Sequence, residues 1–128
     1  MSLETGVVLD KKRRPIYWHR PSGRTGLSLP DSRELWDVLW GSRHRISGFA
    51  HTHPGRGGPW PSDTDISTFF AIERGLGQRL EWWIVDDSGV VLVLTGQRPK
   101  RFHVMAAKLL QPQDHLWVAE LRRLSRGD

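Results

Sequence analysis

Apolar and polar positions along this chain fall into short runs whose period changes from segment to segment. Gly6-Val7-Val8-Leu9 is a continuous, β-branched apolar run, the pattern of a buried strand. Ile16-Tyr17-Trp18 predicts a second strand, and the basic run Lys11-Lys12-Arg13-Arg14 between them reads as a solvated turn closing a hairpin. Arg20 to Pro30 is rich in Gly, Ser and Pro and predicts a loop. Asp31 or Ser32 is placed to cap a helix reaching about Trp40, with Leu35, Trp36 and Leu39 on its apolar face and Gly41 ending it. Ile46 to His51 reads as a central strand in which Gly48 permits close backbone approach.

Pro54 to Pro61 holds three Gly and three Pro and predicts a loop. Ser62 or Asp63 then begins a helix with Ile66, Phe69, Phe70 and Ile72 as its buried stripe, stopped by Gly75 and Gly77. Trp82 to Val85 and Val90 to Leu94 form the clearest hairpin, turning through Asp86-Asp87-Ser88-Gly89. The adjacent Trp82 and Trp83 must then point to opposite faces, one into the core and the other toward the C-terminal helix. Phe102 to Met105 predicts a further short strand. Asp114 is placed to cap a last helix over about 114–124, with Trp117, Val118, Leu121 and Leu124 along one side. Strands and helices mix without strict βαβ alternation. The expectation is therefore an α+β layered sandwich, a mixed and mostly antiparallel sheet flanked by helices.

The chain has 128 residues, which matches one domain, since single domains typically run to about 100–200 residues. Residues 1–128 are read as that one domain, with a motif-bearing core over about 3–105. No run approaches the roughly 20 consecutive apolar residues that span a membrane, and Met1-Ser2-Leu3-Glu4 lacks the layout of a signal peptide. The expected setting is soluble and cytoplasmic. There is no cysteine, so disulfides, thiolate metal sites and cysteine nucleophiles are excluded. Any metal must be held by His, Asp or Glu. The net charge of +5 favours acidic partners; nucleic acid is among them, but is not the favoured one.

The candidate chemistry lies in one segment. His51 and His53 are two apart at the end of a strand, so both imidazoles project from one face. Pro54 stops that strand, and the Gly/Pro loop returns the chain to a helix start bearing Ser62 and Asp65. An acid in the first helical turn can reach back to the histidines. Two imidazole nitrogens and one carboxylate, with water in the fourth place, are the ligand set of catalytic rather than structural zinc. Ser62-x-x-Asp65 is equally the pattern of an ordinary capping box, and a lone His-x-His pair is common in half-buried strands. The ordered conjunction of all these features within fifteen residues is what selects the metal-site reading.

The stretch His51-Thr52-His53-Pro54 to Pro61-Ser62-x-x-Asp65 resembles the HxHP…SxxD signature of the JAMM (MPN+) zinc metalloproteases. Leu3-Glu4-Thr5-Gly6-Val7-Val8-Leu9 is similar to the Glu-bearing strand of the same family. The resemblance covers roughly residues 3–95. It implies a cytidine-deaminase-like layered fold and one zinc ion per chain, ligated by His51, His53 and Asp65. It further implies that Glu4 acts as general base and then general acid, and that Ser62 hydrogen-bonds the scissile carbonyl or its oxyanion. The implied substrate is a protein or peptide, a ubiquitin-like conjugate among them, cleaved at an amide or isopeptide bond.

Two alternatives stand beside this one. A Glu only three residues after Met1 is expected to sit on a mobile platform, which would leave a metal-binding module with little activity. A partial similarity to RadC-type proteins, which share an HxHP…PSxxD stretch, suggests a nucleic-acid-associated protein. His19, His44, His103 and His115 lack ligand spacing. Trp60 is placed to line a cleft mouth, and Arg24, Arg56 and Arg98 are not distinguished from other surface arginines.

Overall fold

The computed structural model describes residues 2–98, 101–106 and 110–127. Its elements run β1 (Gly6–Asp10), β2 (Pro15–His19), α1 (Arg33–Gly41), β3 (Ile46–Thr52), α2 (Asp63–Leu76), β4 (Glu81–Val85), β5 (Val90–Thr95), β6 (Phe102–Ala106) and α3 (Asp114–Ser125). The six strands form one mixed sheet in the order β2-β1-β3-β4-β5-β6. Every pairing is antiparallel except β3 with β4. That parallel pair is joined by α2, as a parallel connection requires a crossover. The α+β class and the mixed, mostly antiparallel sheet are as the sequence pattern predicts.

Period-two alternation divides the apolar residues between the two faces. Val8, Phe49, Trp82, Ile84, Val91 and Val93 face α1 and α2, where Leu35, Leu39, Ile66 and Phe69 cover them. Val7, Leu9, Ala50, Trp83, Val85 and Leu92 face α3, where Trp117, Val118 and Leu121 cover them. Trp82 stacks on Phe69 at 4.3 Å between ring centroids, and Trp83 meets Trp117 edge-on at 5.9 Å. The two tryptophans thus anchor opposite cores, the second of them under the C-terminal helix.

Gly48 lies where a Cβ would fall 1.9 Å from the Glu81 carbonyl oxygen, which fixes its identity in the parallel β3–β4 register. Four expectations change. Gly41 does not end α1: it lies in the last helical turn, and Ser42 holds the C-cap, its N–H donating to the Val38 carbonyl at 2.9 Å. Gly75 does not stop α2: it lies inside the helix, where its missing side chain admits the Trp36 ring, and Gly77 alone caps the end with φ +71°. Asp114 does not cap α3. Gln113 holds that position, and the Asp114 carboxylate is turned to Arg13 at 3.1 Å and to the Gln111 N–H at 2.8 Å. The basic turn is not simply solvated either. Arg13, at φ 57°, bridges Glu81 at 2.9 Å and Asp114, and its guanidinium lies 4.8 Å from the Trp83 ring centre.

The segment before β1 is tied into the fold, with Glu4 and Thr5 buried. The Ser2 and Leu3 N–H groups donate to the Ser125 carbonyl at 2.7 and 2.8 Å, and the Glu4 N–H donates to Thr25 at 2.7 Å. The Thr5 N–H donates to Thr52 Oγ1 at 2.9 Å. Glu4 therefore sits on a fixed platform between the end of α3 and the loop that follows β2, contrary to the expectation of mobility. No described helix is long and apolar enough to cross a membrane.

Candidate metal centre

Strand β3 places His51 on the same face as Phe49, and His53 continues that alternation one step past the strand end. The His51 ring packs between Phe49 and Phe69, with centroids 6.5 and 6.1 Å away, and is 4 % exposed. The loop after His53 is pinned to the β4–β5 turn. The His53 N–H donates to Val85 at 2.8 Å, Asp87 N–H to Gly55 at 3.0 Å, and Gly58 N–H to the Asp86 carboxylate at 2.8 Å. The Gly/Pro loop is thereby held against the β4–β5 turn, at the end of the central strands.

Helix α2 begins with a complete capping box. The Ser62 hydroxyl oxygen accepts the Asp65 N–H at 3.0 Å, and the Asp65 carboxylate accepts the Ser62 N–H at 2.9 Å. This cap also aims Asp65. Its two oxygens lie 3.3 Å from His51 Nε2 and 3.0 Å from His53 Nε2, and the two Nε2 atoms are 3.0 Å apart. Donors on a tetrahedral zinc at about 2.0–2.1 Å stand roughly 3.3 Å from one another. The three side chains are gathered at that spacing, so the donor set fits a small tetrahedral cation. A second donor set shares the two histidines: one donor atom from each of Glu4, His51 and His53 lies within 4.8 Å of the others, a group that does not include Asp65.

The electrostatics follow from this crowding. Burial alone would raise the Asp65 carboxyl, but hydrogen bonds from His51 and His53 outweigh it and hold the group ionised far below the usual carboxylate range. Burial would lower His53, yet the hydrogen bond and charge of Asp65 reverse this and its pKa lies above the ordinary value. Glu4 is pushed up to about 7, chiefly by burial, which the charge of His53 partly offsets. A carboxyl poised there can exchange protons at neutral pH.

All five predicted site residues, Glu4, His51, His53, Ser62 and Asp65, line one cleft of about 710 Å³. Three further residues bear on the site that spacing did not single out. Arg24 donates to the Glu4 carbonyl at 3.3 Å and to the Thr5 hydroxyl, holding the segment before β1 that carries Glu4. Asp86 ties the metal-site loop to the β4–β5 turn. His19 lines the cleft, 1 % exposed, with Nε2 2.7 Å from the Pro30 carbonyl. Trp60 does not line the cleft; it is 60 % exposed and lies over Gly58. No protein-family model matches the chain, and no curated protein matches it.

Proposed function

We propose that this chain is a zinc-dependent hydrolase of amide or isopeptide bonds, of the JAMM type, acting on a peptide or protein substrate such as a ubiquitin-like conjugate. The observation that carries this reading is the convergence of His51, His53 and Asp65 at 3.0–3.3 Å, with buried Glu4 beside them. His51 Nε2, His53 Nε2 and the Asp65 carboxylate would hold the zinc. Bound there, zinc would supply Lewis-acid activation of water and of the scissile carbonyl.

The chain's own groups supply the rest. Glu4, buried beside the histidines, accepts a proton from the attacking water and returns it to the leaving nitrogen. The Ser62 oxygen accepts the Asp65 N–H, which leaves its O–H to donate to the carbonyl oxygen as that atom gains negative charge. The anchoring of Glu4 through Thr25 and Arg24 favours a catalyst over a bare metal-binding module, because a general base must be held in place.

Protein purified without chelator is expected to contain about one zinc per chain by elemental analysis. Glu4→Gln should keep that zinc and lose turnover of isopeptide and peptide-amide substrates by roughly 10²–10⁴. Failure to take up zinc on titration would overturn the proposal.

A further inference from the structure

Glu4 reaches the histidines through a register that is fixed from the far side of the sheet. Gly6 stands opposite His51 in the antiparallel β1–β3 ladder. The next rung pairs Thr5 with Thr52, and the one after it sets Glu4 beside His53, in keeping with their donor atoms lying within 4.8 Å. Side chains alternate between faces along each strand. Glu4, His51 and His53 therefore project toward the cleft, while Thr5 and Thr52 follow Val7 and Ala50 toward α3. A slip of one residue at this rung would turn Glu4 away from the histidines.

The Thr52 N–H donates to the Thr5 carbonyl at 3.0 Å, as an antiparallel ladder requires. The reciprocal bond is irregular, because the Thr5 N–H donates to the Thr52 side chain, Oγ1, at 2.9 Å. Helix α3 closes the arrangement. The Ser125 hydroxyl donates to Thr5 Oγ1 at 3.0 Å and lies 2.8 Å from Thr52 Oγ1. A hydroxyl carries one hydrogen, so Thr52 is the donor to Ser125. Arg24 donates to Thr5 Oγ1 as well. Thr5, Thr52 and Ser125 are each 0 % exposed. Three hydroxyls from distant parts of the chain thus form one buried network whose members satisfy one another. Such a network holds a single geometry, because each displaced group would lose a partner that water cannot replace.

We propose that the Thr5–Thr52–Ser125 hydroxyl network is the positioning device of the site. It locks the segment bearing Glu4 to the strand bearing His51 and His53, and ties both to the last turn of α3. The three residues act through Glu4, from the side of the sheet away from the cleft, and are positioning residues. The catalytic consequence rests on the hydrolytic reading above, while the ordering of Glu4 is measured apart from turnover.

The experiment compares Thr52→Val, which keeps the shape and removes the hydroxyl, with Thr52→Ser, which keeps the hydroxyl, in the zinc-loaded full chain. Ser125→Ala is the milder second variant and stands in if Thr52→Val fails to fold. Val118→Ala, in the same α3-face core, loses packing but no hydroxyl. Amide hydrogen exchange is followed at Glu4, whose N–H donates to Thr25 and to none of the substituted groups, with Ile84 of β4 as the reference. Cleavage of a peptide carrying a Gly–εLys isopeptide bond is measured separately. Thr52→Val and Ser125→Ala are expected to speed exchange at Glu4 about tenfold or more relative to Ile84. Both should lower kcat by roughly 10–10²-fold with KM and zinc content unchanged, since a small misplacement of a catalytic group costs that much. Thr52→Ser should restore both readouts, and Val118→Ala should move neither. Unchanged Glu4 exchange in both hydroxyl-deleted variants, equal changes in Val118→Ala, or no rescue by Thr52→Ser would overturn the network's role. Faster Glu4 exchange with no cleavage by any form, wild type included, would leave the network standing and sink the hydrolytic reading. Cleavage with kcat unchanged in every variant would do the reverse.

Discussion

On the α3 face of the sheet, Trp83, Trp117, Val7, Leu9 and Leu121 are all essentially without solvent exposure, and the ion-paired Arg13 closes the rim against Glu81 and Asp114. On the α1/α2 face the same strands carry Phe49, His51 and Trp82, and a cleft penetrates between the helices. One face is given over to packing. The other packs a core of its own around Leu39, Trp82, Ile84 and Val93, and adds beside the end of β3 a cleft lined by titratable groups. The comparison teaches that substitutions equally deep in this small protein should separate by place: stability is lost at core positions such as Trp117, and metal binding and chemistry at the histidines beside the end of β3.

The largest expected effect tests the open face. His53→Ala removes one of three converging donors and should abolish zinc binding, a term on the order of 10 kcal/mol in well-formed protein zinc sites, while the metal-free protein loses only the His53–Asp65 pairing and melts modestly below wild type. Trp117→Ala should do the opposite. It empties the centre of the α3 face and should cost about 3–5 kcal/mol in denaturant unfolding, with zinc stoichiometry retained in whatever fraction stays folded. Equal melting penalties for the two variants would break that distinction.

At the rim, Arg13→Ala leaves the fully buried Asp114 carboxylate with the Gln111 N–H but without its cation. Truncating one partner of a buried pair is costly; since Arg13 is itself partly exposed, about 2–3 kcal/mol is expected. Zinc affinity should not change.

The titration of the open face sharpens the comparison further. His53 is held protonated to a higher pH than usual by Asp65, and zinc must displace that proton. Affinity should therefore fall as pH falls through the His53 pKa, by up to about tenfold per pH unit for each proton displaced. The metal-free chain should behave in the opposite sense. The His53 pairing stabilises it below the unfolded pKa and is lost as pH rises through the raised folded value. Glu4, also raised, favours the folded state in its protonated form and adds to the same trend. Buried His19, whose pKa burial lowers, acts in the opposite sense, so thermal melts of the metal-free protein at pH 6 and pH 8 are compared in a His19→Gln background; greater stability at pH 8 there would contradict the sign.

Local signals made most of this legible in the sequence. Alternation placed Val7 and Val8, and Trp82 and Trp83, on opposite faces, and two-residue spacing put His51 and His53 on one face. Where the reading failed, a long-range partner usually decided. Gly75 looked like a stop because nothing in its neighbourhood shows that Trp36, from another helix, needs its space. Asp114 looked like a cap because Arg13, about a hundred residues earlier, is invisible to local pattern. Asp86 read as a turn residue, which it is through one oxygen, Oδ1; the other holds the metal-site loop at Gly58. Glu4 looked poorly anchored, and only the folded chain brings Ser125 and Thr25 to the segment that carries it.

Ser62 carries the smallest expected stability effect and the sharpest question, because its oxygen belongs to both faces of the argument, packing and chemistry. As an N-cap it satisfies the Asp65 N–H, and a cap removed to alanine typically costs about 1 kcal/mol. Loss of the cap also loosens Asp65, so Ser62→Ala should weaken zinc binding slightly. If the hydroxyl served only as a cap, turnover at saturating zinc would recover. If it also donates to the developing oxyanion, kcat should stay depressed by roughly 10²–10³ even with the site fully loaded. Ser62→Asp distinguishes the two roles, since aspartate is a good N-cap but an ionised carboxylate cannot donate a hydrogen bond. Restored helix stability with kcat still depressed assigns the donor role to the Ser62 hydroxyl. Recovery of both would reduce Ser62 to a structural cap and leave oxyanion stabilisation to other groups in the cleft.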